Sequence, residues 1–121
     1  MQAKILRAAH SDEFYTEERC HILELSNSAS DSELSIARAR VEPGVTTALH
    51  RVIDTVERYV ILSGSGHMEV EGLEACTVEP QDVVIIPQGA SQRITNTGDD
   101  DLIFLAICTP RFLLQRYEDL D

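Results

Sequence analysis

Two stretches, Gly44-x5-His50-x-Val52-x4-Glu57-x6-Gly64 and Asp82-x4-Pro87-x-Gly89-x2-Gln92-x3-Asn96, decide how this chain folds. Side chains of a β-strand alternate between its two faces. His50 and Val52 therefore share one face, Glu57, Tyr59 and Ile61 share another, and Gln92 and Ile94 share a third, with Arg93 and Thr95 turned away. If these faces line one interior, His50, Glu57 and Gln92 converge there with Val52, Tyr59 and Ile94 beside them. The other motif residues are structural. Gly44 and Gly64 permit tight turns, Pro87 stiffens the entry to the Gln92 strand, and Asn96 suits a turn before Thr97-Gly98.

Beyond these stretches, turn signals recur at short intervals: Ser26–Ser32, Pro43-Gly44, Ser63–Gly66, Glu71-Gly72, Glu79–Asp82, Pro87–Gly89 and Thr97–Asp99. Such spacing predicts an all-β sandwich or barrel rather than alternating βαβ units. Ile36–Val41 alternates as a half-buried strand, whereas Val83–Ile86 and Leu102–Ile107 are apolar on consecutive residues and are expected to be covered on both faces. After Pro110, Phe112–Tyr117 has the composition for a short helical turn, with Phe112, Leu113 and Tyr117 packing the tail across the barrel. No internal repeat or linker divides residues 1–121, which read as one domain.

The glycine, proline and polar spacing of the two stretches resembles the two-motif signature of the cupin superfamily, and the resemblance covers about residues 38–107. It implies an antiparallel cupin β-barrel (double-stranded β-helix, or jelly roll) with a site inside. In that family the first motif supplies two histidines and a glutamate to a metal, and the second a third histidine. Here His50 and Glu57 stand at their places, but Val52 replaces the second histidine and Gln92 the third. Gln81 stands where the family usually has glycine ahead of the aspartate.

The resemblance implies a divalent metal held by His50, Glu57 and Gln92. Val52 cannot donate, and Gln92 donates only through a neutral amide oxygen, so the set binds less tightly and does not choose among nickel, zinc, manganese and iron. The alternative is a polar pocket in which the three residues hydrogen-bond one another or a ligand. A buried Glu57 without a cation should then have a raised pKa unless His50 pairs with it. Some metal-free epimerases of the superfamily use a histidine base and a tyrosine acid, which makes Tyr59 a catalytic candidate. Val52, Tyr59 and Ile94 are the candidate ligand-binding side chains, and a small polar or anionic molecule is the expected ligand. The two functional readings are a metal-dependent isomerase, epimerase or oxygenase, and a non-catalytic metabolite-binding or sensing module.

Other residues are read against this site. His67 lies between apolar alternates and should face solvent, His10 should be exposed, and His21 sits either in the pocket or at an edge. If Ala37, Ala39 and Val41 face the barrel, Arg38 and Arg40 point outward; in the opposite register one arginine enters the pocket to anchor an anion. Cys20, Cys76 and Cys108 lack paired spacing and read as small buried hydrophobes. The formal charge of −11 repels phosphate backbones and anionic lipid, so nucleic acid and membrane are poor partners. Met1–His10 is too polar for a secretory signal, and a reduced, cytoplasmic protein is expected. The surplus apolar area on two strands predicts a homodimer.

Overall fold

The β-branched runs between these turns become eleven strands in the computed structural model, which describes Met1–Asp121. They are β1 (Phe14–Tyr15), β2 (His21–Ser28), β3 (Asp31–Val41), β4 (His50–Val52), β5 (Val56–Ser63) and β6 (Gly66–Val70). They continue with β7 (Cys76–Val78), β8 (Val83–Ile86), β9 (Gln92–Asn96), β10 (Leu102–Thr109) and β11 (Tyr117–Asp119). All pairings are antiparallel, in one sheet ordered β1-β2-β3-β10-β5-β8 and a second ordered β11-β4-β9-β6-β7. Phe112–Tyr117 forms a single 3-10 turn (Leu114–Arg116) and then runs into β11, which pairs with β4. The tail thus closes the edge of the second sheet.

Alternation fills the space between the sheets. Val41, Ile61, Ile86 and Leu102 of the first sheet meet Met68 and Ile94 of the second in one buried cluster. Asn96, 1 % exposed, ties the sheets' ends together. Its amide donates to the Val41 and Asp100 carbonyls at 2.8 Å each and its oxygen accepts from the Gly98 N–H at 2.9 Å, which is the turn role its place in the sequence predicts.

Two expectations are corrected. β8 is not covered on both faces: Val84 and Ile86 are buried, but Val83 and Ile85 are 57 % and 65 % exposed, because β8 is the edge strand and nothing in the chain lies over its outer side. Cys76 is exposed, unlike Cys20 and Cys108, since β7 is the edge of the other sheet. Arg38 and Arg40 take the outward register and converge on Glu13 at 3.1 and 2.6 Å. The Arg40 and Arg38 hydrogen bonds hold the Glu13 carboxyl down at about 2. His21 lies on that same outer side, 3.2 Å from Glu42.

One turn recurs four times. Glu42–Val45, Val70–Leu73, Glu79–Asp82 and Pro87–Ala90 each close with a bond from the fourth N–H to the first carbonyl, at 3.2, 3.0, 3.0 and 3.2 Å. The third residue has positive φ in each: Gly44 at 78°, Gly72 at 84°, Gln81 at 79° and Gly89 at 71°. This is type II geometry, which favours glycine there because a Cβ is crowded at positive φ. Gln81 holds the strained place without glycine. Gln81→Gly should therefore stabilise the fold by about 1 kcal/mol, the relieved strain exceeding the added chain entropy. A thermal melt with an unchanged or lowered midpoint would contradict this reading of the turn.

Candidate functional site

The inward faces of β3, β4, β5 and β10, with the segments before β2 and after β10, enclose a cavity of about 650 Å³. Ala37, Ala39 and Ala106 leave the space open, while His50, Val52, Glu57 and Tyr59 project into it. Phe14, Glu17, Glu24, Leu114 and Asp119 line it while remaining exposed, and so mark its mouth. Of the expected ligand-binding residues, Val52 and Tyr59 lie on the cavity wall. Ile94 does not: it is 1 % exposed within the apolar cluster, because it lies further along β9 than Gln92, at the tightly packed end of the barrel beside Gly66.

His50, Glu57 and Gln92 come together across the two sheets. β4 and β9 place His50 opposite Gln92, and β5 brings Glu57 from the other side. The Gln92 amide nitrogen donates to Glu57 Oε1 at 2.6 Å, while Gln92 Oε1 is buried without a partner. His50 Nδ1 donates to the Ala48 carbonyl at 2.8 Å, which leaves Nε2 as the unprotonated nitrogen of the neutral ring. That nitrogen lies 3.6 Å from Glu18 Oε2, and Tyr117 stacks on the ring at 5.2 Å with an interplanar angle of 22°. Burial raises the Glu57 pKa, with His50 and then the Gln92 hydrogen bond pulling it back. Burial, helped by Asp119, pushes the Glu18 carboxyl up to about 7. Glu24 at the mouth is raised too, by the partial desolvation of its carboxyl against the wall.

Tyr59 is buried against Phe104, ring centroids 4.3 Å apart. Burial and the nearby Glu57 hold its hydroxyl pKa well above the usual value, so the group stays protonated. The Cys20 and Cys108 thiols are also pushed up by burial, which removes them as nucleophiles at neutral pH.

These donors do not fit a resident metal ion. No three His, Cys, Asp or Glu side chains converge closely enough to hold one. Gln92 adds only a neutral amide oxygen, Oε1, buried without a partner while its nitrogen is held on Glu57. Nor does the cavity offer an anion a partner: five carboxylates line it and no lysine or arginine does.

Sequence reasoning missed Glu18, Glu24 and Asp119. Glu18 sits in a charge run that reads as solvated, more than thirty residues from His50, and no spacing rule links the two. Tyr117 was expected to pack the tail, and the same packing puts its ring on His50.

The fold and cavity define a small antiparallel barrel with a polar constellation in its interior. A family model described as Cupin domain matches residues 37–108, and the chain belongs to the cupin family. An oxalate-binding protein of Thermotoga maritima is 33 % identical over 90 residues, 74 % of this chain and 73 % of the relative. A structure described as a predicted oxalate decarboxylase, also from Thermotoga maritima, superposes with a TM-score of 0.77 at 24 % identity, covering 88 % of this chain and 99 % of that one. Pac13, described as a nucleoside dehydratase, gives a TM-score of 0.78 at 14 % identity, covering 97 % of this chain and 92 % of that one. At those identities the two structures support the barrel alone. No helix here is long and apolar enough to cross a membrane.

The raised carboxyls make stability depend on pH with a definite sign. Between 4.5 and about 7 the folded Glu18 keeps its proton while the unfolded one loses it, so stability falls as pH rises through that window and levels off above it. Glu24 and Glu57 act in the same direction, and Glu13, held down at about 2, acts oppositely but only below 4.5. Glu18 alone is worth on the order of 2–3 kcal/mol of the fall. Denaturant titrations across this range should show the decline, flattened in Glu18→Gln; equal slopes in both proteins would refute the assignment.

Proposed function

We propose that this chain is a cupin that binds a small organic molecule inside the barrel and exchanges a proton with it through His50, without need of a resident metal. The observation that carries the reading is the polar arrangement. The Gln92 amide nitrogen donates to Glu57 at 2.6 Å, and the bond to Ala48 turns the basic nitrogen of His50 to the cavity. A group that accepts a proton at Nε2 stands beside one, Glu18, that holds a proton near neutral pH, and such a pair suits general acid–base chemistry. Tyr59 stays protonated and serves as a hydrogen-bond donor on the wall. The relative named for oxalate raises a dicarboxylate as ligand, but with five carboxylates and no lysine or arginine on the wall a dianion has no counter-charge.

Titration with zinc, nickel and manganese tests the metal clause. The wild-type protein should take up none stoichiometrically. The double variant Val52→His, Gln92→His, which supplies the family's missing imidazoles, should take up one equivalent. Nitrogen NMR of the neutral His50 ring should show a protonated Nδ1 and a bare Nε2. One equivalent of metal bound by the wild type and lost in His50→Ala, or an Nε2–H ring, would overturn the proposal.

The same reading includes a homodimer. On the outer face of the first sheet, Leu105, Val60 and Val83 form one cross-strand row, and Ile107, Arg58 and Ile85 form the next. Exposed Val83, Ile85 and Leu62 extend this apolar face to the edge strand. Burying it against its own copy removes apolar area from water and satisfies two-fold symmetry. Light scattering at micromolar concentration should give a dimer, and Val83→Lys with Ile85→Lys a folded monomer. A monomeric wild type would dispose of the idea.

A further inference from the structure

We propose that the barrel cavity selects a small organic cation, an amine with an apolar body, over neutral and anionic molecules of the same size. This rests on the cavity being the ligand site and not on the role given to His50.

Two independent features of the wall point to such a ligand. The first is where the aromatic residues go. The chain has three tyrosines, three phenylalanines and no tryptophan, and five of these six rings, Phe14, Tyr59, Phe104, Phe112 and Tyr117, line this one cavity. Aromatic faces carry negative potential and attract ammonium groups, most strongly where water is excluded. The second is charge. Glu17, Glu18, Glu24, Glu57 and Asp119 line the same space. No arginine lines it: Arg38 and Arg40 pair with Glu13, Arg51 with Glu118, Arg93 with Glu69 and Arg19 with Asp121, while Arg111, outside the wall, donates to the Asn27 amide oxygen at 3.1 Å.

The interior also holds an unmatched acceptor. His50, 3 % exposed, projects into the cavity with its Nδ1 bonded to Ala48 and its Nε2 3.6 Å from Glu18 Oε2, beyond hydrogen-bond distance. An ammonium N–H placed there finds an acceptor in Nε2 and a ring in Tyr117, and its positive charge favours the ionised forms of Glu18 and Glu57 that burial otherwise disfavours. The alanines of β3 and β10 leave room for its apolar body. An anion in the same place finds no lysine or arginine on the wall and faces Glu17 and Asp119 at the mouth, and a neutral molecule of that shape gains the apolar contacts without the ionic ones.

Calorimetric titration of metal-free protein with benzylamine, benzyl alcohol and benzoate tests this, because the three probes share a ring and differ in charge. Benzylamine should bind at least tenfold more tightly than benzoate, with benzyl alcohol between them. Glu24→Gln with Asp119→Asn, both at the exposed mouth, should weaken benzylamine several-fold and leave benzyl alcohol unchanged. Equal affinities for all three would overturn the cation preference while leaving the barrel as a ligand site, and so would tighter binding of benzoate. No binding of any probe at millimolar concentration would remove the ligand site itself.

Discussion

A carboxylate in the interior of a β-barrel must find a cation, a hydrogen-bond donor or a proton, and Glu57 is the group on which this requirement falls. β5 carries it inward because the Tyr59 and Ile61 that share its face build the core. Gln92, reaching from the other sheet, donates to it at 2.6 Å, and burial raises its affinity for a proton. An imidazole at position 92 would also be a donor, but one that could turn a lone pair to an ion. With a glutamine there and a valine at position 52, Glu57 has an amide donor at 2.6 Å and a raised affinity for a proton instead.

That solution shapes the rest of the cavity. His50 keeps the orientation of a metal ligand, Nδ1 tied to the Ala48 carbonyl and Nε2 facing inward, yet its neighbour is Glu18 from the segment before β2. Burial forces the Glu18 carboxyl up to about 7, and Asp119 adds to the shift. The outer face handles charge in the opposite way. Arg38 and Arg40 meet Glu13 in direct ion pairs, so the same carboxyl chemistry yields an acid held at about 2 outside and one near 7 inside.

Much of the fold was legible because it rests on local rules. Alternation placed His50, Val52, Glu57, Tyr59 and Gln92 inward, and turn residues marked the strand ends. The small residues of β3 gave its inward face and sent Arg38 and Arg40 out. The reading of Val83–Ile86 as covered on both faces, and of Ile94 as a ligand-binding residue, gave way where neighbours mattered more than pattern. Val83 and Ile85 lie bare because β8 has a partner on only one edge, and Ile94 is inward but packs in the core rather than on the cavity wall.

The sequence by itself determined the barrel, its turns and the meeting of His50, Glu57 and Gln92, since strand period and type II turn geometry act over a few residues and leave a readable pattern. Only the tertiary structure decided what that meeting is for. Whether Gln92 offers an oxygen or a nitrogen, whether a carboxylate stands near His50, and whether any lysine or arginine reaches the cavity all depend on contacts between segments far apart in the chain. Glu18 and Tyr117 come from opposite ends of the molecule to flank one imidazole. Their approach is set by strand pairing and by the burial of apolar area, forces that place residues in space without marking them in the sequence.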